Sequence, residues 1–460
     1  KLHNLVILLL LGMLSLISAC VDQSTPVPYE SLTVTVQGTS PAVSPVPTKS
    51  PTATPSPLPL PTPTATLEPC APARYGSLAG VDPRGQRVVW WHAYSRDREE
   101  ILNSMVATFN ATNACQITVE LENQDSYSTI REKMQADLLI FNPPNLLLGD
   151  QRDEALYALQ DRIIDLAPLI SDLQWGMTFD ELQDFFPAFL EQGVHPEFRD
   201  QRLGFPANRT LEVLYYNQTW LRELDDAAST APITASTLTL AGTPPRTPEQ
   251  FRAMACAAAA GKADGTGGYI LRTDAAALTA WTLAFGGNVL SPDGKGYVYN
   301  GDATIQAMTF LKELSDAKCA YFFTEGDTVP NAFAGREAIF TQGPSAAIPF
   351  YELAVQTVAE NQARTADQWN IATLPYTPTM AGDQSSPRVN AYGIDLMIPP
   401  TTPEGELAAW IVLKWFTAPE QQAQWVQVSH DYPTRASAIE YLDDYVQHHP
   451  QWATGFELLG

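Results

Sequence analysis

Basic residues are scarce in this chain. Lys and Arg number 27 against 51 Asp and Glu, so the 460 residues carry a formal charge of 27 − 51 = −24. Phosphate recognition needs clustered Lys and Arg, which makes nucleic acid an unsuitable partner. The same shortage argues against lying on an anionic lipid surface through basic side chains. Cysteine is also scarce, and five residues exclude a disulfide-dense miniature scaffold. No stretch approaches 18 consecutive apolar residues, so no membrane-spanning helix is expected. Several catalytic signatures are missing. There is no His-Glu-x-x-His zinc pair, no Gly-x-Ser-x-Gly elbow and no Gly-x-x-x-x-Gly-Lys phosphate loop. Gly343-Pro344-Ser345 lacks the second glycine of an elbow, and Asp293-Gly294-Lys295-Gly296 lacks the carboxylate alternation of a calcium loop. The six histidines form no ligand pattern. Neither an enzyme, a cofactor nor a metal site is expected.

Lys1 and His3 precede an apolar run from Leu5 to Ile17, which ends in Ser18-Ala19-Cys20. The run is too short to span a bilayer and reads as the core of an export signal. Small residues before Cys20 resemble the bacterial lipobox, which implies cleavage before Cys20 and lipid attachment to its thiol. Residues 21–69 hold 12 prolines among Ser, Thr, Ala and Val. Such a segment cannot bury enough surface to fold and reads as a tether of polyproline II character. Residues 1–20 are thus expected to be a signal peptide and 21–69 a disordered leash.

With Cys20 set aside, Cys70, Cys115, Cys256 and Cys319 remain. An even number in an oxidising compartment permits two disulfides in three pairings. Cys70–Cys115 with Cys256–Cys319 keeps each pair within one stretch of chain and is the preferred pairing.

From Gln86 onward, strand and helix patterns alternate. Arg87 to Trp91 is an apolar β-forming run. Asp97 to Ala111 places Ile101, Leu102, Met105, Val106 and Phe109 at helical spacing. Ile117 to Leu121 and Asp137 to Phe141 read as strands, with Asn145 to Leu148 extending or repeating the latter. Glu154 to Leu169 reads as one helix. Leu211 to Tyr216 is a strand, Gly265 to Gly268 a turn, and Ala275 to Phe285 a helix that carries Trp281. Alternation of this kind argues for an α/β body with a largely parallel sheet.

Several ordered segments resemble the bacterial extracellular solute-binding proteins of family 1, the capture subunits of ABC importers. They are Val88-Val89-Trp90-Trp91-His92-Ala93-Tyr94, Pro144 to Gly149, Gly204-Phe205-Pro206 with Val213 to Asn217, and Pro245 to Phe251. Phe333 to Phe340 with Gly343-Pro344, Ala391 to Ile394, Leu413 to Phe416 and Pro419 to Gln422 complete the set. The resemblance implies a two-lobed, periplasmic-binding-protein-like fold of type II. Each lobe would be a mixed, mostly parallel sheet flanked by helices, with the ligand cleft between them. One lobe would comprise 70–208 plus 391–433 and the other 209–390 plus 434–460.

Within that frame, the loop after the first strand offers Trp91, His92 and Tyr94, since an aromatic face stacks on the CH face of a sugar. Asp150 and Gln151 follow an apolar run, where a carboxylate either accepts two hydroxyls or caps a helix. Asn208 and Arg209 fall at the first crossing between lobes. Arg388, Asn390 and Tyr392 flank the second, and Tyr432 stands at the third. Trp281, Gly343 and Ser345 complete the candidates; Ser345 occupies a position where sugar-binding relatives often place an aromatic. The implied function is capture of a small ligand, most often a carbohydrate, by lobe closure and delivery to an ABC permease. The protein would be a monomer, lipid-anchored at the outer face of the cell membrane. Glycerol phosphate, a polyamine or another small solute is the alternative ligand, and a secreted glycoside hydrolase the alternative class.

Overall fold

The computed structural model describes residues 70–72, 74–136, 142–230, 242–323, 328–377 and 387–459. The expected signal peptide, Cys20, the tether and the expected strand at 137–141 lie outside the described residues.

The first half of the body builds β1 (Arg87–His92), α1 (Asp97–Thr112), β2 (Thr118–Asn123), α2 (Tyr127–Met134), β3 (Leu146–Gly149) and α3 (Gln151–Ala158). β1 runs parallel to both β2 and β3. Trp90 and Trp91 alternate across the sheet, and both are buried. Trp90 meets the Phe416 ring at 5.2 Å in the larger core, whereas Trp91 packs with Leu147 and Met397 on the other face. A strand covered on both faces has no outward side, so neither tryptophan is free for a ligand. The expected helix over 154–169 is interrupted. It stops at Ala158, Asp161 takes a left-handed φ of 51°, and helix resumes only over Ala167–Ile170. A non-glycine residue at such a φ ends regular helix.

A hairpin of β4 (Val194–His195) and β5 (Gln201–Arg202) leads into β6 (Phe205–Asn217), 13 buried residues long. Then follow α4 (Gln218–Thr230), α5 (Pro248–Ala260), β7 (Gly267–Leu271), α6 (Ala275–Ala284), α7 (Asp302–Asp316), β8 (Ala320–Phe322), α8 (Val329–Ala334), β9 (Ala338–Pro344), α9 (Ile348–Asn361) and β10 (Trp369–Ala372). The chain closes with β11 (Ala391–Met397), α10 (Pro403–Phe416), α11 (Pro419–Ser429), α12 (Asp443–His448) and α13 (Pro450–Glu457). The main sheet has the order β2-β1-β3-β11-β6-β9-β7-β8, with β10 also on β6. β7 begins where the glycines suggested a turn.

Two lobes grow from the ends of this sheet, each with its own apolar core. Val88, Leu102, Phe109, Leu148 and Trp410 belong to one. Phe251, Tyr269, Trp281, Phe310 and Phe340 belong to the other, and a further cluster around Tyr215, Tyr351 and Trp452 covers the far face of β6. Disulfides join Cys70 to Cys115 and Cys256 to Cys319, each pinning segments of one lobe.

Register fixes how the two lobes face each other. Asp395 of β11 lies opposite Gly149, the last residue of β3, and on its other side opposite Pro206 of β6. Pro344, the last residue of β9, lies opposite Glu212 further along β6. The parallel strands β1–β3 therefore point toward β7–β9, and β9 points back. Their C-terminal ends are separated by β6 residues 206–212, about 20 Å at ~3.3 Å per residue. Pro206 has no N–H for the ladder, and the β6–β11 register shifts there, between Ile394 and Asp395. Gly393 is required next to this shift, because a Cβ on it would come within 2.1 Å of the Asn208 carbonyl oxygen.

Candidate ligand cleft

Strand alternation sorts the crossing residues. Asn208, Thr210 and Glu212 share one face of β6, and Arg209 and Leu211 share the other. On the first face the Asn208 amide donates to Asp431. The Thr210 and Ser345 hydroxyls lie 3.0 Å apart, and Ser345 Oγ also accepts from the Leu211 N–H at 3.0 Å. Glu212 Oε2 accepts from the Tyr392 hydroxyl at 2.8 Å. Tyr392 stands directly opposite Thr210 in the ladder, so it shares this face. A continuous polar floor thus runs from one set of strand ends to the other.

At the first-lobe end, the Tyr94 ring lies 4.5 Å from Trp425 and 6.0 Å from His92. The Tyr94 hydroxyl, His92 Nδ1 and Asn208 Oδ1 are buried without a hydrogen-bond partner among the described residues. Burial lowers the His92 pKa, against the pull of Glu99, and so disfavours a charged ring. Burial raises the Asp431 carboxyl, against the pull of Arg98 and the Asn208 amide. Arg98 stands 4.0 Å from Asp431 and donates to the Ser429 carbonyl at 2.6 Å. Three unsatisfied polar atoms and a carboxyl therefore gather where β1 meets the crossing segments. Such groups are costly unless something pairs with them.

The second-lobe end is built on the loop after β7. Arg272 pairs with Asp274 at 2.6 Å, reaches toward Glu212 at 3.9 Å and donates to the Gln342 carbonyl at 3.2 Å. Asp274 caps α6 by accepting from the Ala277 N–H at 3.0 Å. Burial opposes ionisation, yet this N–H and Arg272 hold the Asp274 carboxyl below its usual range. Burial raises Glu212, with the Tyr392 bond and Arg272 pulling the other way. Behind them the Gln342 amide oxygen accepts from Tyr269 at 2.7 Å, and Tyr269 accepts from the Trp281 indole at 3.2 Å. Gly343 leaves room for Arg272, whose guanidinium would be 3.1 Å from a Cβ there. The Asn390 amide donates to the Ala276 carbonyl at 3.3 Å. A cavity of about 460 Å³ opens beside Arg272 and Asp274, walled by Leu278, Trp281, Met308 and Leu311. A larger cavity, about 710 Å³, lies at the start of β9 and β10 among Arg336, Arg364 and Asp367. There both arginines are committed to Asp367, away from the facing strand ends.

Sequence reasoning placed His92, Tyr94, Asn208, Gly343, Ser345, Asn390 and Tyr392 in or beside this floor. Other candidates do different work. Arg209 points to the opposite face, fully buried, and pairs with Asp395 at 2.6 Å. Trp91 donates its indole N–H to Glu122 at 2.8 Å. Asp150 accepts from the Asp153 N–H at 3.1 Å as the N-cap of α3, and Gln151 is that helix's first residue. Trp281 is a core residue whose ring only edges the cavity. Tyr432 is buried against Trp452 at 5.1 Å, although its backbone does pair with Arg209. Arg388 is exposed on the segment before β11. Glu212, Arg272, Asp274 and Asp431 were missed. Asp274 carried a signal, an Asp directly before an Ala-rich helix. Among the described residues no cluster of His, Cys, Asp or Glu could hold a metal ion, and no helix is long and apolar enough to cross a membrane.

The model of the family described as bacterial extracellular solute-binding protein matches residues 104–454. Among curated proteins no sequence match was found. Solved structures share the fold. The sugar-binding protein MalE from Xanthomonas citri superposes with a TM-score of 0.66 at 17% identity, covering 81% of this chain and 85% of its own. The cyclic alpha-maltosyl-1,6-maltose binding protein from Arthrobacter globiformis gives 0.61 at 19% identity, over 81% and 86%. UgpB from Mycobacterium tuberculosis, solved with glycerophosphocholine, gives 0.57 at 18% identity, over 80% and 84%.

Proposed function

This chain belongs to the bacterial extracellular solute-binding proteins, and from that premise we propose that it captures a small carbohydrate between its lobes and passes it unchanged to an ABC importer. One observation carries the reading. The C-terminal ends of two opposed sets of parallel strands face each other across a polar floor of Asn208, Thr210, Glu212 and Tyr392. Ligands bind at such strand ends and between lobes. Carboxylates, amides and aromatic rings at both ends suit a molecule rich in hydroxyls with an apolar ring face. The cyclic alpha-maltosyl-1,6-maltose named for the Arthrobacter globiformis protein agrees with this choice. Closure about the three crossings would bury the sugar. We place one lobe at 70–208 plus 391–433 and the other at 209–390 plus 434–460. Lipid on Cys20 and the leash over 21–69 would hold the body, as a monomer, outside the membrane near its permease.

A glycerol phosphodiester is the second reading, favoured by Arg272 and by the glycerophosphocholine in the mycobacterial structure. Asp274 and Glu212 beside Arg272 weigh against an anion, since like charges repel. A thermal-shift panel of sugars, polyols, sugar phosphates and polyamines separates these cases. A ligand at 100 times its Kd adds roughly 2.7 kcal/mol of stability. A shift with one sugar class, and recovery of that sugar intact, supports capture. Recovery of cleaved sugar would assign a hydrolase, and a shift with phosphate esters alone would assign the second reading.

A further inference from the structure

We infer that the cavity beside Asp274 is a subsite for an apolar group carried by the ligand, so that the preferred solute is a glycoside with an aryl or alkyl aglycone. This rests on the carbohydrate reading above and extends it. The cavity holds about 460 Å³ and begins at Arg272, Thr273 and Asp274. Arg272 links it to the cleft floor, since the same guanidinium that lines the cavity lies 3.9 Å from Glu212. Its walls are mostly apolar. Leu278 and Trp281 stand three apart on α6, and Met308 and Leu311 three apart on α7, so each pair shares a helix face. Phe322 closes one side from the edge strand β8 and is 59% exposed.

The charged groups at the cavity are paired with one another, and the Thr273 and Ser315 hydroxyls are the uncharged polar groups of its lining. The Trp281 indole N–H donates to Tyr269 and so is not free to meet a ligand. Lys312 is paired with Asp316 and Arg272 with Asp274. A sugar ring placed inside would leave most of its hydroxyls unpaired at real cost. An aryl group would not, and a cavity of about 150 Å³ already accepts benzene. The geometry therefore divides the ligand, with hydroxyls on the floor and an apolar tail past Asp274.

Calorimetric titration of the full chain tests this with matched pairs: methyl and p-nitrophenyl α-maltoside, and the same pair of α-glucosides. Binding of the nitrophenyl compound should be roughly tenfold tighter or more than that of its methyl partner. The advantage should vanish in Met308→Lys and in Leu311→Gln, two half-buried positions, while methyl glycoside affinity and the melting temperature stay near wild type. Equal affinity within both pairs overturns the subsite and leaves carbohydrate capture standing. If no glycoside binds, p-nitrophenol alone decides. Its binding, lost in Met308→Lys, keeps the apolar subsite and removes the sugar; its failure to bind removes both.

Discussion

Tyr392 and Glu212 stand on adjacent antiparallel strands, and the tyrosine hydroxyl donates to the buried carboxylate at 2.8 Å. This bond ties the second crossing segment to the first at the edge of the second lobe. Glu212 is 1% exposed, so its charge depends on the few donors around it. Tyr392→Phe removes one donor and leaves a buried acceptor short. The expected cost is about 1–3 kcal/mol in urea unfolding. Sugar affinity should fall as well, because the ring stays in place but the floor loses its hydroxyl. Unchanged stability and affinity would mean that Tyr392 neither orders the crossing nor meets the ligand.

Asp274 joins two tasks that substitution can separate. It caps α6 and it pairs with Arg272 at the strand end. Asp274→Ala should cost about 1 kcal/mol through the lost cap. Asp274→Ser should recover that stability, since serine caps as well. Sugar affinity should drop in both variants, because only the carboxylate can pair with Arg272 and hold it at the strand end. Melting curves and titration of the same two proteins check both halves.

The cluster behind the first crossing should make stability depend on pH. Glu154 bonds His195 Nε2 at 2.6 Å, and neither is open to water. Burial and the nearby Asp395 push the Glu154 carboxyl up to about 8. Burial disfavours a charged His195 ring, but its bonds to Glu154 and Glu197 win and raise its pKa. A group whose folded pKa is raised stabilises below its unfolded value, and that contribution is lost as pH rises through the folded value. Stability should therefore decline between about pH 4.5 and 8, by an amount on the order of a few kcal/mol. Glu154→Gln should flatten the decline across that window, read from denaturant midpoints at each pH.

Substitution of one cysteine pair tests what the disulfides contribute. They close loops with sequence separations of 45 and 63 residues. Chain entropy assigns each about 4 kcal/mol. Cys256→Ser with Cys319→Ser should lower the melting temperature without changing the sugar preferred, since the pair lies at the start of β7, opposite its ligand-facing end. An altered preference would place the disulfide in the site.

The alternating α/β pattern was legible because helix periodicity and apolar strand runs are local signals. Leu102, Met105, Val106 and Phe109 stand on the buried side of α1, as their spacing requires. The short strands β7, β8 and β10 were not legible. Three to five residues give no period, and their pairing is set by neighbours distant in sequence. In the site, the aromatic and polar residues next to strand ends could be named, but not their directions. Arg209 and Thr210 are adjacent in sequence yet face opposite ways, one to Asp395 and one to Ser345. The bulge at Pro206 helps decide which is which, and it depends on β11, nearly 190 residues later. Asp431 was missed for a similar reason. It gains meaning only beside Asn208, which the third crossing brings to it.

The central claim is that a sugar bridges the two facing sets of strand ends. Hydrogen–deuterium exchange, with and without the sugar found by thermal shift, tests it most directly. Bound sugar should slow exchange at both ends together: 92–95 and 149–151 on one side, 271–274 and 343–345 on the other, and 390–392 between them. Protection confined to one lobe, or appearing only around Arg336 and Asp367, would contradict it.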